Sequence, residues 1–596
     1  MHRFRSWTLD PPEWRTQRNR LLPAEGGDGS TLSLDFTTGV LDPRLLFTRT
    51  TNATFINSQG YVEWAAANAL SNSVFAGASG ATQPTGWLVQ FIGGTGSFTL
   101  NGTELTISNN GSATRSRLYQ TGPTGNGLPV TVQLKVVANN TSGMSLVELL
   151  AFSINGYVSG SQAVYKVNGT TQTSGFTGWV AGDTVTLTCI PATGLAATCV
   201  FGLGVSATVS TSASVTIKDV QIEPGSVARS YIATTTSGAY QAPRFDYDPT
   251  TLVASGLLIE GSASNYVLRS ELNPFASPTW QTAGTTLPTI TTGYTGNGFA
   301  PDNTSNPTRV QFAVNGGSAS RIFQPTSYAT NPTTANPYTV SVWMKSNTAG
   351  TNYTINILGT AGSSAVTVTP TWQRFTLVNT SGTSLVGYVY ISNESGSVAA
   401  DVLIWGAQLE AGNGASSYIP TGVSTGNRAY DHCYATGTNF TSWFSTGAGT
   451  LVAVSDNTKN NTQNLNATIS DDSTSNYLRM GFKVGGASNE YLLTTVGGPS
   501  SFQGAADSGY APALNTVYKM AYAWDTNNFA IVANGGAAGT DTSGTLAGAG
   551  VLTRMVIGGD FVAVPNDIYF KNGHIRSLKY WPTRLSNAQL QALTTG

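Results

Sequence analysis

The sequence predicts an all-β protein of tandem antiparallel β-sandwiches, two of them jelly rolls, that follow an extended N-terminal segment. Three observations lead to this fold class. Charged residues are only 10% of the 596 residues, against about 25% in typical soluble domains. Scarce Lys and Glu, with 67 Gly and abundant Thr and Asn, disfavour long helices. From residue 31 onward, short apolar–polar alternations are separated by Gly, Asn and Pro turns, a texture typical of sandwiches and barrels.

The same composition excludes several classes of function. The balance of 29 basic to 30 acidic residues argues against a nucleic-acid binder that works by neutralising phosphates. No apolar stretch approaches the ~20 residues of a transmembrane helix, so we expect no membrane insertion. The basic N-terminus has no apolar core behind it and is not a secretory signal peptide. A role outside the cell would therefore require another exit route, such as lysis.

Residues 1–30 form a separate composition zone, with two Trp, five Arg and a Pro pair but no strand alternation. Two interpretations stay open: a disordered tail, or a docking peptide that folds onto a partner with Trp and Arg as anchors. The candidate docking residues are Arg3, Arg5, Trp7, Trp14 and Arg15.

An internal repeat divides the middle of the chain. Residues 221–232 (QIEPGSVARSYI) match residues 408–419 (QLEAGNGASSYI) at seven of twelve positions, with an offset of 187. Upstream, Ser71, Asn72 and Trp87 match Ser264, Asn265 and Trp280 with an offset of 193. The first match lies at the end of each repeated unit and the second at its start. Together they predict two homologous domains.

Local patterns predict two further details. In the repeated strand, Val215 and Ile217 are one residue out of phase with Val220 and Ile222, as a β-bulge requires. Near the C-terminus, Ser586 and Gln589 form a capping box, which predicts one short final helix.

Several segments resemble a recurring class of bacteriophage structural proteins, usually described as tail fibre, head fibre or virion proteins. The segments that carry this resemblance are 41–49 (LDPRLLFTR), 53–60 (ATFINSQG), 243–249 (PRFDYDP), 256–260 (GLLIE), Ser270-Glu271, 405–410 (WGAQLE), 417–421 (SYIPT), Arg428 and Asp431. In that class the first two segments run almost directly into the third, so the first repeat copy resembles an insertion. Both copies resemble carbohydrate-binding-module jelly rolls. The C-terminal unit is similar to a concanavalin A-like (laminin-G-like) lectin sandwich.

These observations predict six segments. They are a docking segment (1–30), a short β adaptor (31–68), the first and inserted jelly roll (69–235), linker or adaptor strands (236–261), the second jelly roll with its linker (262–437) and the concanavalin A-like domain (438–596).

The resemblance implies a virion fibre, spike or decoration protein that is attached by its N-terminus and projects its sandwiches outward. Its expected partners are capsid, collar or tail proteins, further copies of itself in a trimer, and host-surface glycans. It would be made in the host cytoplasm, released by lysis and located in the virion. The alternatives are a glycan-degrading tailspike and a non-binding decoration protein that stabilises the capsid.

We expect no enzyme and no cofactor. Acidic residues are sparse, and Glu223 and Glu410 recur once per domain, which indicates a structural role rather than the paired carboxylates of a glycosidase. Asp246 and Asp248 form a D-x-D pair that we interpret as a turn before Pro249. No sequence motif supports a metal site, and a structural calcium ion has no motif behind it.

Glycan binding is the favoured function of the sandwiches. Trp and Tyr at strand positions are expected in the core, so the candidates are aromatic residues in turn-rich surroundings. These candidate glycan-binding residues are Trp87, Trp179, Tyr294, Trp443 and Phe444.

Overall fold

The protein consists of three β-sandwiches, and the computed structural model describes most of the chain after residue 26. The described ranges are 27–92, 96–109, 115–124, 127–140, 150–152, 164–173, 176–190, 196–203, 213–235, 240–273, 275, 279–314, 317–324, 337–359, 362–379, 389–394, 398–459, 463–483, 490–497, 502–510, 512–561 and 569–596. No helix within these ranges has the length and apolar character needed to cross a membrane.

Five short strands precede the first jelly roll. They are β1 (Leu32–Asp35), β2 (Leu46–Thr48), β3 (Thr54–Ile56), β4 (Val62–Trp64) and β5 (Ala67–Asn68). A single 3-10 turn at Phe36–Thr38 follows β1, capped by the Asp35 carboxylate. Strands β3 and β4 pair with each other as a hairpin.

The first jelly roll packs a larger sheet on a smaller one. Its strands are β6 (Leu88–Ile92), β7 (Gly96–Asn101), β8 (Glu104–Asn109), β9 (Arg115–Thr124), β10 (Val130–Asn140), β11 (Leu150–Phe152), β12 (Val164–Val167), β13 (Thr170–Gln172), β14 (Thr184–Cys189), β15 (Ala196–Leu203) and β16 (Ala213–Pro224). The described strands are ordered β13-β12-β14-β10-β16-β8-β7 in one sheet and β11-β15-β9-β6 in the other. Among the cysteines whose side chains the structure describes, Cys189 and Cys433 are buried and form no disulfide.

Three strands follow before the second jelly roll begins: β17 (Tyr240–Gln241), β18 (Phe245–Tyr247) and β19 (Ala254–Ile259). Strand β17 pairs with β5. The first jelly roll therefore leaves and returns through one two-stranded ribbon, as an insertion would.

The second jelly roll packs two sheets of five described strands each, ordered β21-β24-β29-β26-β27 and β22-β23-β30-β25-β28. Its strands are β20 (Ala263–Asn265), β21 (Gln281–Ala283), β22 (Thr289–Thr291), β23 (Thr308–Phe312), β24 (Ser320–Gln324), β25 (Tyr338–Ser346), β26 (Tyr353–Gly359), β27 (Gly362–Val368), β28 (Gln373–Asn379), β29 (Val389–Asn393), β30 (Ala400–Ala411) and β31 (Gly426–Arg428). Strands β20 and β31 form a second two-stranded ribbon at its base.

The last sandwich contains the remaining strands. They are β32 (His432–Thr436), β33 (Gly449–Ser455), β34 (Gln463–Ser470), β35 (Tyr477–Lys483), β36 (Glu490–Thr495), β37 (Phe502–Ala506), β38 (Tyr518–Trp524), β39 (Phe529–Ala533), β40 (Gly539–Asp541), β41 (Arg554–Ile557) and β42 (Gly573–Trp581). A one-turn helix lies at Thr438–Thr441, and the chain ends in the helix Asn587–Thr594. The predicted capping box of Ser586 and Gln589 is confirmed.

This sandwich is discontinuous in sequence. One sheet is ordered β18-β19-β42-β33-β38-β39-β40, with β1 also on β42, and the other is β2-β32-β41-β34-β35-β36-β37. Strands from the two segments that the sequence indicates as adaptors, 31–68 and 236–261, thus lie in the same sheets as the C-terminal strands. Their apolar residues join its core, including Leu34 and Ile259. Both jelly rolls are therefore insertions into one scaffold sandwich.

The predicted bulge is confirmed in both repeats. Strand β16 carries one extra residue against β10, and strand β30 carries one against β25. The residues at the bulge, Asp219 and Gly406, both have a positive φ, of 55° and 66°. A residue with left-handed backbone geometry at this point shifts by one position which side chains of the strand point to the core.

The upstream half of the repeat alignment needs a correction. Asn68 and Asn265 occupy equivalent places, because each side-chain amide donates to two carbonyls of its own exit segment, at residues 220 and 232 or 407 and 419. The true offset is therefore 197, and matching Ser71-Asn72 to Ser264-Asn265 is wrong by four residues. Trp87 and Trp280 remain equivalent, since each indole donates to a carbonyl just after this entry segment.

Candidate functional site

A buried ion cluster fixes the junction between the second jelly roll and the scaffold sandwich. Arg49 pairs with Asp431 at 2.9 Å, and Arg244 contacts both Asp431 and Glu260, the latter at 2.6 Å. Arg428 completes the cluster at 3.2 Å from Glu260. All five side chains are at most 1% exposed. Because the four segments concerned are far apart in sequence, the cluster ties the scaffold strands to the base of the jelly roll.

Glu260 stays ionised in this cluster. Burial alone would raise the pKa of Glu260, but Arg428 and Arg244 outweigh it and hold that pKa far below its usual range. The Ser417 backbone N–H and hydroxyl also donate to this carboxylate, both at 2.7 Å. Residues 244, 260, 417, 428 and 431 are the same ones that carry the sequence resemblance. Their role in this chain is to hold the junction.

A second clamp positions the β3–β4 hairpin. His574 lies between two carboxylates, with Nδ1 at 2.8 Å from Asp456 and Nε2 at 2.9 Å from Asp246. Burial opposes a charge on this ring, but Asp456 and Asp246 outweigh it and raise the pKa of His574 to about 10. Asp246 also accepts the backbone N–H of Ile56. The D-x-D pair is structural, as predicted, since Asp248 accepts N–H groups of its own turn at Thr250 and Thr251.

The hairpin forms one wall of a cleft between the two jelly rolls. The cleft has a volume of about 270 Å³. Its hairpin wall includes Asn57, Tyr61, Glu63 and Trp64. The first jelly roll contributes Pro129, Ser226, Val227 and Arg229, and the second contributes Glu271, Asp302, Asn303, Trp405 and Tyr418. We take this interdomain cleft as the candidate functional site.

Aromatic rings form the floor and part of the wall of the interdomain cleft. Trp405 and Tyr418 are 1% and 3% exposed, and their ring centroids lie 4.6 Å apart. Trp405 donates its indole N–H to the Ser305 hydroxyl at 3.0 Å, so the ring is held in one orientation. Tyr61 and Trp64 are half-buried in the hairpin wall and leave part of each ring open to the cleft.

Two carboxyl groups in the cleft have contrasting surroundings. Burial, reinforced by the charge of Asp302, raises the pKa of Glu271 to about 8, and Glu271 makes no hydrogen bond to the described residues. Asp302 accepts two backbone N–H groups, from Thr304 at 3.1 Å and Ser305 at 3.0 Å. At neutral pH Glu271 therefore offers a protonated carboxyl group to the cleft.

The opposite end of the cleft carries a fixed polar network. Glu63 accepts from the Asn57 amide at 2.8 Å and lies 3.5 Å from the Arg229 guanidinium. Arg229 also pairs with the buried Glu223 at 3.0 Å. Glu223 and its repeat equivalent Glu410 each accept a backbone N–H six residues ahead, which confirms the structural role predicted for both.

The structure corrects most of the predicted glycan-binding residues. Trp87, Trp179 and Trp443 are 2%, 1% and 4% exposed and belong to the sandwich cores. A ring covered on both faces offers no surface to a sugar, so these three residues have packing roles. Phe444 packs against the same scaffold core as Trp443.

Tyr294 is half-buried and lies outside the cleft. The Arg309 guanidinium carbon is 5.1 Å from its ring centroid, so one face of this candidate is occupied. The candidate docking residues 3, 5, 7, 14 and 15 lie outside the described residues. In the part of the chain that is described, no group of three metal-ligating side chains comes together.

Sequence reasoning did not single out the cleft residues as a site. Glu271 belongs to a segment that carries the resemblance, and Tyr418 belongs to the repeat. Both residues were therefore noted in the sequence, but no pattern indicated that they lie in the same site. The hairpin residues, including Tyr61 and Trp64, gave no signal because the cleft forms only when three distant segments meet.

The chain matches no protein-family model and no curated protein. Solved structures with a similar fold include the CBM40 module of the Ruminococcus gnavus IT-sialidase bound to α2,3-sialyllactose, at 15% identity and a TM-score of 0.22. That match covers 26% of this chain and 88% of the module. Domain 4 of the arabinanase AbnA from Geobacillus stearothermophilus, in complex with arabinotriose, is similar at 14% identity and a TM-score of 0.22. It covers 31% of this chain and 82% of that domain.

A tandem match spans more of the chain. The CBM22-1–CBM22-2 pair of Xyn10C from Paenibacillus barcinonensis is 12% identical, with a TM-score of 0.22. This match covers 61% of the present chain and 100% of the pair.

Proposed function

We propose that this protein is a bacteriophage virion component, a fibre, spike or decoration protein, that binds host-surface glycans without cleaving them. The observation that carries the binding role is the interdomain cleft. It combines the half-buried aromatic side chains of Tyr61 and Trp64 with amide and carboxyl groups at Asn57, Asn303 and Asp302. Ligand sites in proteins typically pair an apolar surface with a few polar groups that fix orientation. A sugar ring, apolar on its face and polar at its edge, matches that combination.

The virion role rests on the resemblance and on where its residues lie. The resembling segments supply Arg244, Glu260, Ser417, Arg428 and Asp431 to one buried junction. Proteins that keep these residues would keep the same junction between scaffold and jelly roll. This supports a shared architecture in which the N-terminus attaches to the particle and the jelly rolls project. We further propose a homotrimer located in the virion and released by lysis, with no cofactor.

Replacing Trp64 by Ala is expected to weaken glycan binding by about 10-fold or more, since central aromatic contacts dominate binding energy. Tyr353→Ala is the matched control, because Tyr353 is a half-buried aromatic residue of the second jelly roll that does not line the cleft. Titration of the full chain with host-surface polysaccharide measures both variants. If both variants lose glycan affinity equally, or if neither loses any, the cleft is not the binding site. Absence of any binding by the unaltered chain would favour the non-binding decoration protein.

A second candidate function, glycan cleavage, is favoured by the pair Glu271 and Asp302. Retaining and inverting glycosidases use one protonated and one ionised carboxyl group on either side of the scissile bond. If the cleft cleaves, the unaltered chain releases oligosaccharides from host polysaccharide over many turnovers. Glu271→Gln would then abolish release while binding persists. We expect no sustained release of oligosaccharides from the unaltered chain. Release that is lost in Glu271→Gln would show instead that the protein is a glycan-degrading tailspike.

Deletion of residues 1–26 is expected to leave the chain folded and to remove it from the particle. The deletion spares Asp28, which pairs with Lys579 at 2.6 Å and belongs to the scaffold sandwich. Quantitative blotting of purified particles, with thermal unfolding of the purified truncated chain as the folding control, measures the result. Particles that carry the truncated protein at full occupancy would refute N-terminal attachment.

A further inference from the structure

The second jelly roll holds a guanidinium group beside the cleft that forms no direct ion pair within the described ranges. Arg374, on β28, donates to the Ser416 carbonyl at 2.7 Å and to the Ser341 hydroxyl at 2.9 Å. Its guanidinium carbon lies 4.3 Å from the ring centroid of Trp343. The Nε atom is inaccessible to solvent and has no hydrogen-bond partner among the described residues. Burial lowers the pKa of Arg374 to about 10, so the group is still charged at neutral pH.

This guanidinium lines a cavity that adjoins the interdomain cleft. The cavity has a volume of about 100 Å³. Thr54, Val62 and Tyr418 line both the cavity and the cleft, so the two spaces are direct neighbours. The hydroxyl-bearing residues Ser416 and Ser417 also lie on the wall of the cavity.

The other charged groups of the cavity are already balanced by partners. Asp246 contacts His574 at 2.9 Å, and Glu260 contacts Arg244 at 2.6 Å and Arg428 at 3.2 Å. Glu410 and Glu260 attract the Arg374 charge from a distance. Arg374 itself forms no direct ion pair in the described part of the chain. A buried charge without a partner is costly, and an anion that enters the cavity would remove that cost.

We propose that the glycan bound in the cleft is acidic, and that its carboxylate enters this cavity and pairs with Arg374. The inference rests on the proposed glycan-binding function. Guanidinium groups bind carboxylates through paired, charge-assisted hydrogen bonds, which makes arginine a selective receptor for this group. The carboxylates of Asp246 and Glu260 on the same wall disfavour a dianion, so a uronic or other carboxylated sugar fits better than a phosphorylated one.

The test is an array of bacterial oligosaccharides that carries neutral, carboxylated, sulfated and phosphorylated glycans, probed with the full-length chain. Carboxylated glycans are expected among those bound, and their methyl esters are expected to bind about 10-fold or more weakly. Arg374→Met keeps the apolar stem against Trp343 but removes the charge, and it should show the same loss. Arg321→Met is the matched control, since Arg321 stacks 5.6 Å from the Tyr390 ring on the other sheet.

The outcomes separate this inference from the function on which it rests. Binding confined to neutral, sulfated or phosphorylated glycans overturns the carboxylate site but leaves glycan binding intact. Equal binding of a carboxylated glycan and its methyl ester does the same, and this comparison does not depend on whether Arg374→Met folds. If the unaltered chain binds no glycan on the array, the proposed function fails and the inference fails with it.

Discussion

A fragment of residues 432–596 is expected to remain unfolded, although it contains the whole of the predicted C-terminal domain (438–596). The scaffold core also needs six apolar side chains from outside this range, which are Leu32, Leu34, Phe36, Leu45, Leu257 and Ile259. Burial of such a side chain contributes about 1.5–3 kcal/mol. The six together supply about 9–18 kcal/mol, which is at least comparable to the whole stability of a typical domain. The fragment would also lose β1 and β19, which pair with β42.

The matched comparison removes the first jelly roll instead. Asn68 pairs with Tyr240 across the β5–β17 ribbon. A two-glycine link in place of residues 69–239 therefore closes the ribbon with little disturbance. This shortened chain is expected to unfold cooperatively, whereas the 432–596 fragment shows no thermal transition and rapid proteolysis. A cooperative transition in the fragment would show that the C-terminal unit is independent and would contradict the discontinuous scaffold.

Asp431→Asn is expected to cost about 3–5 kcal/mol in the free energy of unfolding, because it leaves the buried guanidinium group of Arg49 without its carboxylate and that of Arg244 with Glu260 alone. Asp401→Asn is the control. Asp401 makes a two-point contact with Arg309, but these side chains are 18% and 25% exposed, and such pairs contribute at most about 1 kcal/mol. The two variants thus differ in burial rather than in the type of pair.

Urea unfolding, followed by tryptophan fluorescence, measures both variants. The expected result is a large drop in the midpoint for Asp431→Asn and a small one for Asp401→Asn. Similar midpoints for the two variants would mean that the junction cluster does not hold the scaffold and the jelly roll together.

Local features of the fold were predictable because they depend on neighbouring residues. The alternation of Tyr518, Met520, Tyr522 and Trp524, for example, places these side chains in the scaffold core. The one-residue slip that predicts the bulges is also local. The repeat was found for a related reason: Gln408 and Glu410 each bond to their own exit segment, so the motif is compact in sequence.

The scaffold topology was not predictable from such patterns. The four-residue strand β1 gives the impression of an adaptor, because nothing in so short a segment specifies β42, more than 500 positions away, as its partner. Strand β19 likewise pairs with β42 across more than 300 positions. The site was missed for the same reason. Turn-rich surroundings suggested that Trp87 was exposed, whereas its indole N–H bonds to the Asn72 carbonyl inside the domain and the ring is buried.

The cleft between the β3–β4 hairpin and the two jelly rolls is the proposed glycan-binding site. The most direct measurement is an experimental structure of the full chain with an oligosaccharide from the host surface. We expect the sugar to lie against Tyr61 and Trp64, with a carboxylate beside Arg374. A sugar bound on an outer face of either jelly roll or on the scaffold sandwich, with the cleft empty, would contradict it.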